Sequence, residues 1–286
     1  MSMENSADAV RLIKLPEMAQ KLQENEAAAH LEPKEMEQVI APSEEQEMAE
    51  TSWDKAKVGW LSPVYSVSRT VRLDMQTVLN NRCIAIDNRI PEVETYRILR
   101  AQIMSRFEEM GCGKTLMVTS AVPGEGKTTT AINLAITLAK EFSQTALLVD
   151  CDFRQQHVHR LLCYESSKGL IDHLLHDVPF SEIVVWPGIE KLTVVSGGKT
   201  MNGFSDLLGS PRMRSLTEEM RDRYPERFIV FDAPPVLSCA DTMALAPLVD
   251  GIIVVVRSGR TPRKEIVNAM ARLPQRKIIG VVLNQM

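Results

Sequence analysis

The chain has 286 residues, 44% hydrophobic and 24% charged, with a net charge of −4, a composition that suits a globular protein of one large domain or two small ones. No apolar run approaches the ~18 residues that a membrane-crossing helix needs, and the first residues lack the basic and apolar regions of a secretory signal. Five unevenly spaced cysteines (Cys83, Cys112, Cys151, Cys163 and Cys239) do not form a disulfide framework, so reduced thiols in the cytoplasm are expected.

In chain order, residues 1–80 are expected to form an acidic extension, partly helical or disordered. Residues 1–60 hold 13 acidic and 6 basic side chains and few β-branched or aromatic residues that could anchor them. Short helices are expected at Ala7–Leu15 and Glu17–Leu31. The remainder of the chain is only mildly basic, so no nucleic-acid partner is expected.

Residues 81–286 read as one α/β domain. Strands are expected at Thr115–Ser120, Ala146–Asp150, Leu192–Val195, Phe228–Asp232, Ile252–Val256 and Ile278–Asn284, mostly as short continuous apolar runs of the kind covered on both faces. Helices are expected between them at Lys127–Glu141, Ser205–Tyr224, Asp241–Leu248 and Arg263–Leu273. That alternation implies right-handed crossovers and a parallel sheet flanked by helices.

The first of these strands runs into Pro123-Gly124-Glu125-Gly126, and a helix follows from Lys127, Thr128 and Thr129. Glycines let successive N–H groups turn toward phosphate oxygens, and the helix start adds its partial positive charge. Lys127 is expected to reach the β- and γ-phosphates, and Thr128 to hold magnesium. The first glycine of the G-x-x-x-x-G-K-[ST] pattern is replaced by Ala121, so this is a P-loop NTPase sequence with a deviant Walker A motif.

Two further strands end in carboxylates. Asp150 and Asp152 follow Ala146-Leu-Leu-Val149 as D-x-D-x-R, and residues two apart on a strand point the same way, toward one metal ion. Asp232 ends Phe228-Ile-Val-Phe231, the usual place of a magnesium-orienting aspartate in P-loop proteins. One such aspartate is commonly a turn residue or a cap; three, on two strands with a phosphate loop upstream, point to a Mg2+–ATP site.

With Val149-Asp-Cys-Asp-Phe-Arg154, Asp232-Ala-Pro-Pro-Val-Leu237, Asp241, Asp250-Gly251, Val254-Val-Val-Arg257 and Gly280-Val-Val-Leu-Asn284, the chain resembles the cytoplasmic domain of the bacterial tyrosine kinases that serve capsule and exopolysaccharide synthesis. Glu94-Thr-Tyr-Arg97-Ile-Leu-Arg100 matches that family's E-x-x-R-x-x-R signature. The resemblance spans about residues 90–286. It implies an ATP-dependent protein-tyrosine kinase in which Lys127 and Gly126 hold phosphates, Thr128, Asp152 and Asp232 hold magnesium, and Asp150 activates the attacking tyrosine. It also implies that Asn284 contacts adenine and that Glu94, Arg97 and Arg100 build a homo-oligomeric ring. A membrane-anchored co-polymerase would recruit the chain to the inner face of the membrane. The alternatives are a partition-type ATPase switch and a nucleotide-binding scaffold. Val122, where partition ATPases carry a second lysine, argues against the switch.

Three departures from the family stand out. Ala233 replaces a Ser or Thr, and Asn202-Gly-Phe-Ser-Asp-Leu-Leu208 is one residue longer than the corresponding family segment and lacks its proline. No tyrosine follows Tyr224, so the family's C-terminal acceptor cluster is not among these residues, and Tyr65 is the expected candidate acceptor. Two other groupings are discounted. Cys151, His157, His159 and Cys163 fit no standard zinc spacing, and His173 and His176 read as partly exposed helix residues.

Overall fold

The computed structural model describes residues 10–13, 68–111, 113–199 and 206–284. Nine strands among these residues form one sheet: β1 (Val10–Ile13), β2 (Arg69–Thr70), β3 (Thr115–Ser120), β4 (Thr145–Asp150), β5 (Val184–Trp186), β6 (Leu192–Val195), β7 (Arg227–Asp232), β8 (Gly251–Arg257) and β9 (Ile278–Asn284). Their order is β1-β9-β8-β3-β7-β4-β6-β5-β2. The six strands from β9 to β6 run parallel. All six expected strands are present, with ends shifted by a residue at most.

Among the described residues nine α-helices accompany them: α1 (Met75–Asn80), α2 (Val93–Glu109), α3 (Lys127–Ala139), α4 (Val158–Leu161), α5 (Leu170–His176), α6 (Phe180–Ile183), α7 (Pro211–Arg223), α8 (Asp241–Leu245) and α9 (Arg263–Ala271). Alternate strand residues feed opposite faces of the sheet. Leu116, Val118, Leu148 and Val230 pack with Tyr96, Leu99 and Ile103 of α2 and Leu134 and Leu138 of α3. Met117, Leu147, Val149 and Phe231 pack with Met213 and Leu216 of α7 and Ile266 and Met270 of α9. The result is the expected α/β layering, a parallel sheet flanked by helices.

Two expected elements are corrected. Val10–Ile13, inside the helix expected at Ala7–Leu15, is a strand antiparallel to β9. The open edge of β9 offers a hydrogen-bonding ladder that a short helix cannot match, and Leu12 is buried by the pairing. Arg69–Thr70 likewise extends the opposite edge by pairing with β5. The sheet therefore draws on residues from both sides of the boundary expected at residue 80. The helix expected at Ser205–Tyr224 begins later. Leu207–Gly209 forms a 3-10 turn, Ser210 caps α7 by accepting from the Met213 N–H at 3.1 Å, and Pro211 takes the first helical position, where its missing N–H costs nothing. The helix expected at Glu17–Leu31 lies outside the described residues, as do Tyr65 and the start of Asn202–Leu208.

No helix among the described residues is long and apolar enough to cross a membrane. The order β3-β7-β4 is what positions the site. Asp150 faces Asp232 across the β4–β7 ladder, and Asp232 faces Val118 two residues before β3 ends. Both aspartates and the loop after Ser120 thus emerge side by side at one edge of the sheet.

Candidate active site

The loop leaving β3 turns on its glycines. Gly124 (φ 82°) and Gly126 (φ 86°) occupy the left-handed region that a side chain disfavours. Ala121 is not among the residues with positive φ, so the glycine missing from the pattern is not needed for this turn. Gly126 caps α3, whose first residues are Lys127 and Thr128. The first N–H groups of a helix have no carbonyl partner within it, so this end can donate to phosphate oxygens. Farther along α3, Asn133 ties the helix to the chain before α2, accepting from the Ala85 N–H at 2.8 Å and donating to the Arg82 carbonyl at 2.9 Å.

Lys127 bends back to the carboxylates. Its Nζ lies 2.9 Å from Asp152 Oδ2, 3.5 Å from Asp232 Oδ1 and 3.1 Å from Thr128 Oγ1. Asp150, Asp152 and Asp232 are all within 1% of complete burial. Asp150 is held by backbone donors: Oδ1 accepts from the Asp152 N–H at 3.0 Å and Oδ2 from the Val158 N–H at 3.2 Å. Asp152 Oδ1 accepts from the Gln155 N–H at 3.1 Å. Apart from the Lys127 ammonium, both oxygens of Asp232 and Oδ2 of Asp152 have no hydrogen bond of normal geometry among the described residues.

Three carboxylates around one ammonium leave buried negative charge uncompensated. Burial, followed by repulsion from Asp232, pushes the Asp150 carboxyl up to about 8. Burial also raises Asp232. The Lys127 ammonium is raised even though burial opposes its charge, because Asp232 and Asp152 outweigh the desolvation. A divalent cation with hard-oxygen preference fits this donor set: the free oxygens of Asp232, Asp152 Oδ2 and the Thr128 hydroxyl. Among the described residues no group of three or more His, Cys, Asp or Glu side chains is placed to hold a metal ion by itself. Magnesium does not require one, since it usually takes one or two carboxylates and completes its shell with phosphate and water.

The remaining expected residues fall in different places. Asn284 ends β9 and donates from Nδ2 to the Glu125 carbonyl at 2.8 Å, leaving its buried Oδ1 without a partner. Thus it lies directly against the phosphate loop. Glu125 is nearly fully buried, with its carboxylate engaged by protein donors. Glu94 and Arg97 pair at 3.0 Å on the exposed side of α2. Arg100 does not join them. It turns inward to the last turn of α3, donating to the Thr137 carbonyl at 2.8 Å and lying 2.9 Å from Glu141. Ala233 is wholly buried in the apolar cluster on the α7 face, so packing fills the place of the family's hydroxyl. Composition alone did not single out the pairing of Arg154 with Asp241 at 3.6 Å, on the edge that also carries Asp152. The D-x-D-x-R spacing was the available signal.

The chain's likenesses agree with this geometry. Residues 113–268, more than half of the chain, match the model of a family described as an AAA domain. The tyrosine-protein kinase YwqD of Bacillus subtilis is 33% identical over 193 residues, which make up 67% of this chain and 80% of YwqD. The chain belongs to the bacterial tyrosine-protein kinase family. The putative tyrosine-protein kinase AmsA of Erwinia amylovora is 31% identical over 217 residues, covering 74% of this chain but only 29% of AmsA. Among solved structures, the kinase domain of the Escherichia coli tyrosine kinase ETK has a TM-score of 0.65 and 28% identity, covering 83% of this chain and 94% of that domain. Family and fold together make this a P-loop nucleotide-binding domain.

Proposed function

We propose that this chain is an ATP-dependent protein-tyrosine kinase that regulates capsule or exopolysaccharide synthesis and export. One observation carries the reading: the phosphate-loop lysine and three buried carboxylates, two of them under-partnered, converge at adjoining strand ends in a chain of the tyrosine-kinase family. In this reading the loop from Pro123 to Thr129 cradles the phosphates. Lys127 exchanges its carboxylate contacts for the β- and γ-phosphates. Thr128, Asp152 and Asp232 hold magnesium, which neutralises charge on the transferring group.

The tyrosine oxygen attacks the γ-phosphorus, the bond to the bridging oxygen of ADP breaks, and the phenolic proton passes to Asp150. With its carboxyl pushed up to about 8 by burial and Asp232, Asp150 is a stronger base than an ordinary carboxylate but still too weak to ionise a phenol (pKa about 10) beforehand; in its ionised form it accepts the proton late in a loose transition state. Two backbone donors fix Asp150 and leave each oxygen a free lone pair. Asn284 Oδ1, an unpartnered acceptor beside the loop, suits the adenine amino group.

The acceptor must be a tyrosine that can reach the site. Tyr96 and Tyr164 are buried, and Tyr224 lies before β7, at the opposite edge, under the Arg227 guanidinium 4.0 Å from its ring. Tyr65 remains the in-chain candidate. The family resemblance also supports a membrane-anchored co-polymerase as recruiter to the inner membrane face and a homo-oligomeric ring. The exposed Glu94 and Arg97 suit a ring contact better than the inward-turned Arg100.

Incubation with γ-labelled ATP and magnesium, with and without a co-polymerase's cytoplasmic segment, tests the proposal. Labelled phosphotyrosine that disappears in Lys127→Met and Asp150→Ala is expected. Free phosphate alone would indicate an ATPase switch, and neither product a scaffold.

A further inference from the structure

Glu125 stands in the middle of the phosphate loop, yet its side chain serves the protein. Oε2 accepts from the Val122 N–H at 2.7 Å, and Oε1 accepts from the Arg257 N–H at 3.2 Å and from the Thr261 hydroxyl. The backbone carbonyl of Glu125 accepts from Asn284 Nδ2 at 2.8 Å. One buried residue therefore links the loop's first turn to the end of β8, to the turn beyond it and to the end of β9.

The outer anchor is Thr261. It closes the turn Arg257–Thr261, in which the Thr261 N–H donates to the Arg257 carbonyl at 3.1 Å and the Arg257 N–H reaches Thr261 Oγ1 at 3.1 Å. Ser258, Gly259 and Arg260 within that turn are exposed. The Thr261 hydroxyl, with the Arg257 N–H, thus connects a surface turn to a buried carboxylate under the phosphate loop. The arrangement also commits the Val122 N–H inward, so that donor is withheld from phosphate.

We infer that Glu125 and Thr261 are positioning residues for the nucleotide: Thr261 holds the Glu125 carboxylate, and that carboxylate sets the shape in which the backbone N–H groups of the loop meet the phosphates. The inference rests on the reading that this loop binds nucleotide, and it adds a residue outside every motif of the site. Hydrogen bonds to a carboxylate are stronger than neutral ones, and leaving one unmade in a buried place costs more than the bond itself contributes.

The test uses the full chain and a fluorescent ATP analogue with magnesium, alongside the thermal midpoint of the nucleotide-free protein. Thr261→Val removes the hydroxyl at nearly constant shape, whereas Thr261→Ser keeps it. Expected is about tenfold weaker nucleotide binding in Thr261→Val, near-normal binding in Thr261→Ser, and a binding loss in Thr261→Val that persists well below its nucleotide-free midpoint, where the variant is fully folded. Glu125→Gln is expected to weaken binding as well, and the double variant Glu125→Gln/Thr261→Val to be little worse than the weaker-binding single one, because both act through one contact. Normal binding by Thr261→Val, or an equal loss in Thr261→Ser, overturns the inference, as does a loss that merely tracks a lowered midpoint. If the wild type itself binds no nucleotide, the reading of the whole site fails; if it binds while Thr261→Val is unchanged, only the brace fails.

Discussion

The two edges of the central strands treat the same residue type in opposite ways. At one edge Asp232 is completely buried, and neither oxygen has a normal hydrogen bond. At the other edge Asp250, just before β8, accepts from the Lys114 N–H at 3.0 Å, the Thr115 N–H at 3.2 Å and the Thr115 hydroxyl at 2.7 Å. Lys277 closes the same edge by donating to the carbonyls of Pro247 and Val249 at 2.6 and 2.7 Å. A cavity of about 480 Å³ opens there beside Phe107 and Phe228, with Glu108, Lys114 and Glu226 at its margin, away from the carboxylate cluster. Both aspartates adjoin strands, and both belong to sequence patterns shared with the family. What separates them is satisfaction: Asp250 spends one oxygen, Oδ2, on three donors of the fold, whereas Asp232 keeps both of its oxygens for something else.

The largest effect that should divide the edges is on phosphotransfer. Asp232→Asn is expected to lower the rate by at least about a hundredfold, the scale of losing one transition-state electrostatic contact. It should leave the nucleotide-free protein as stable as before, or more so, because it removes a buried charge with too few partners. Labelled-phosphate transfer and thermal denaturation check both halves. A variant that lost activity by unfolding would erase the contrast.

Asp250→Ala should do the reverse. It strands the Lys114 and Thr115 donors and is expected to cost about 1–2 kcal/mol by chemical denaturation, while folded protein keeps phosphotransfer within about twofold. Gly113→Ala should act in the same direction: an added Cβ would lie 2.2 Å from Asp250 Cβ, and φ of +83° is strained for any side chain.

Next comes pH. The folded-state pKa of Asp150 is raised to about 8, with Asp232 also raised, so the folded protein holds protons that the unfolded chain releases. Their stabilising contribution is present below the usual carboxylate range and is lost as pH rises toward 8. The nucleotide-free midpoint is therefore expected to drift down between pH 5 and 8, and Asp150→Asn to flatten the drift. An unchanged slope in that variant would contradict the charge crowding described for this edge.

The smallest effect belongs to the surface. Glu94→Ala should cost only a few tenths of a kcal/mol in denaturation, since an exposed i,i+3 pair contributes no more. Light scattering would show whether the same change alters assembly.

Much of this was legible in the sequence because the motifs are local. Continuous apolar runs gave the parallel strands, and the Gly124–Lys127 run gave the loop that follows β3. The D-x-D spacing and Asp232 gave carboxylates at adjoining strand ends, although their adjacency depends on β7 inserting between β3 and β4. Non-local pairing was invisible. Val10–Ile13 has no strand signature strong enough to announce itself, and it becomes a strand only because β9 leaves an open edge. The inward turn of Arg100 was hidden for a similar reason: spacing of three places residues on neighbouring turns, but the end of α3 selects which one it captures. Glu125 read as one more loop residue until its carboxylate was seen tied to Thr261, 136 positions away.

The unsatisfied oxygens at the catalytic edge are expected to serve a metal-bound nucleotide. Calorimetric titration of ADP into wild type and Asp232→Asn, each with magnesium and with EDTA, measures this directly. Wild type is expected to bind at least about tenfold more tightly with magnesium, and Asp232→Asn to lose most of that dependence. An equal magnesium effect in both proteins would contradict the assignment of Asp232 to the metal, and with it the meaning given to its empty hydrogen-bonding positions.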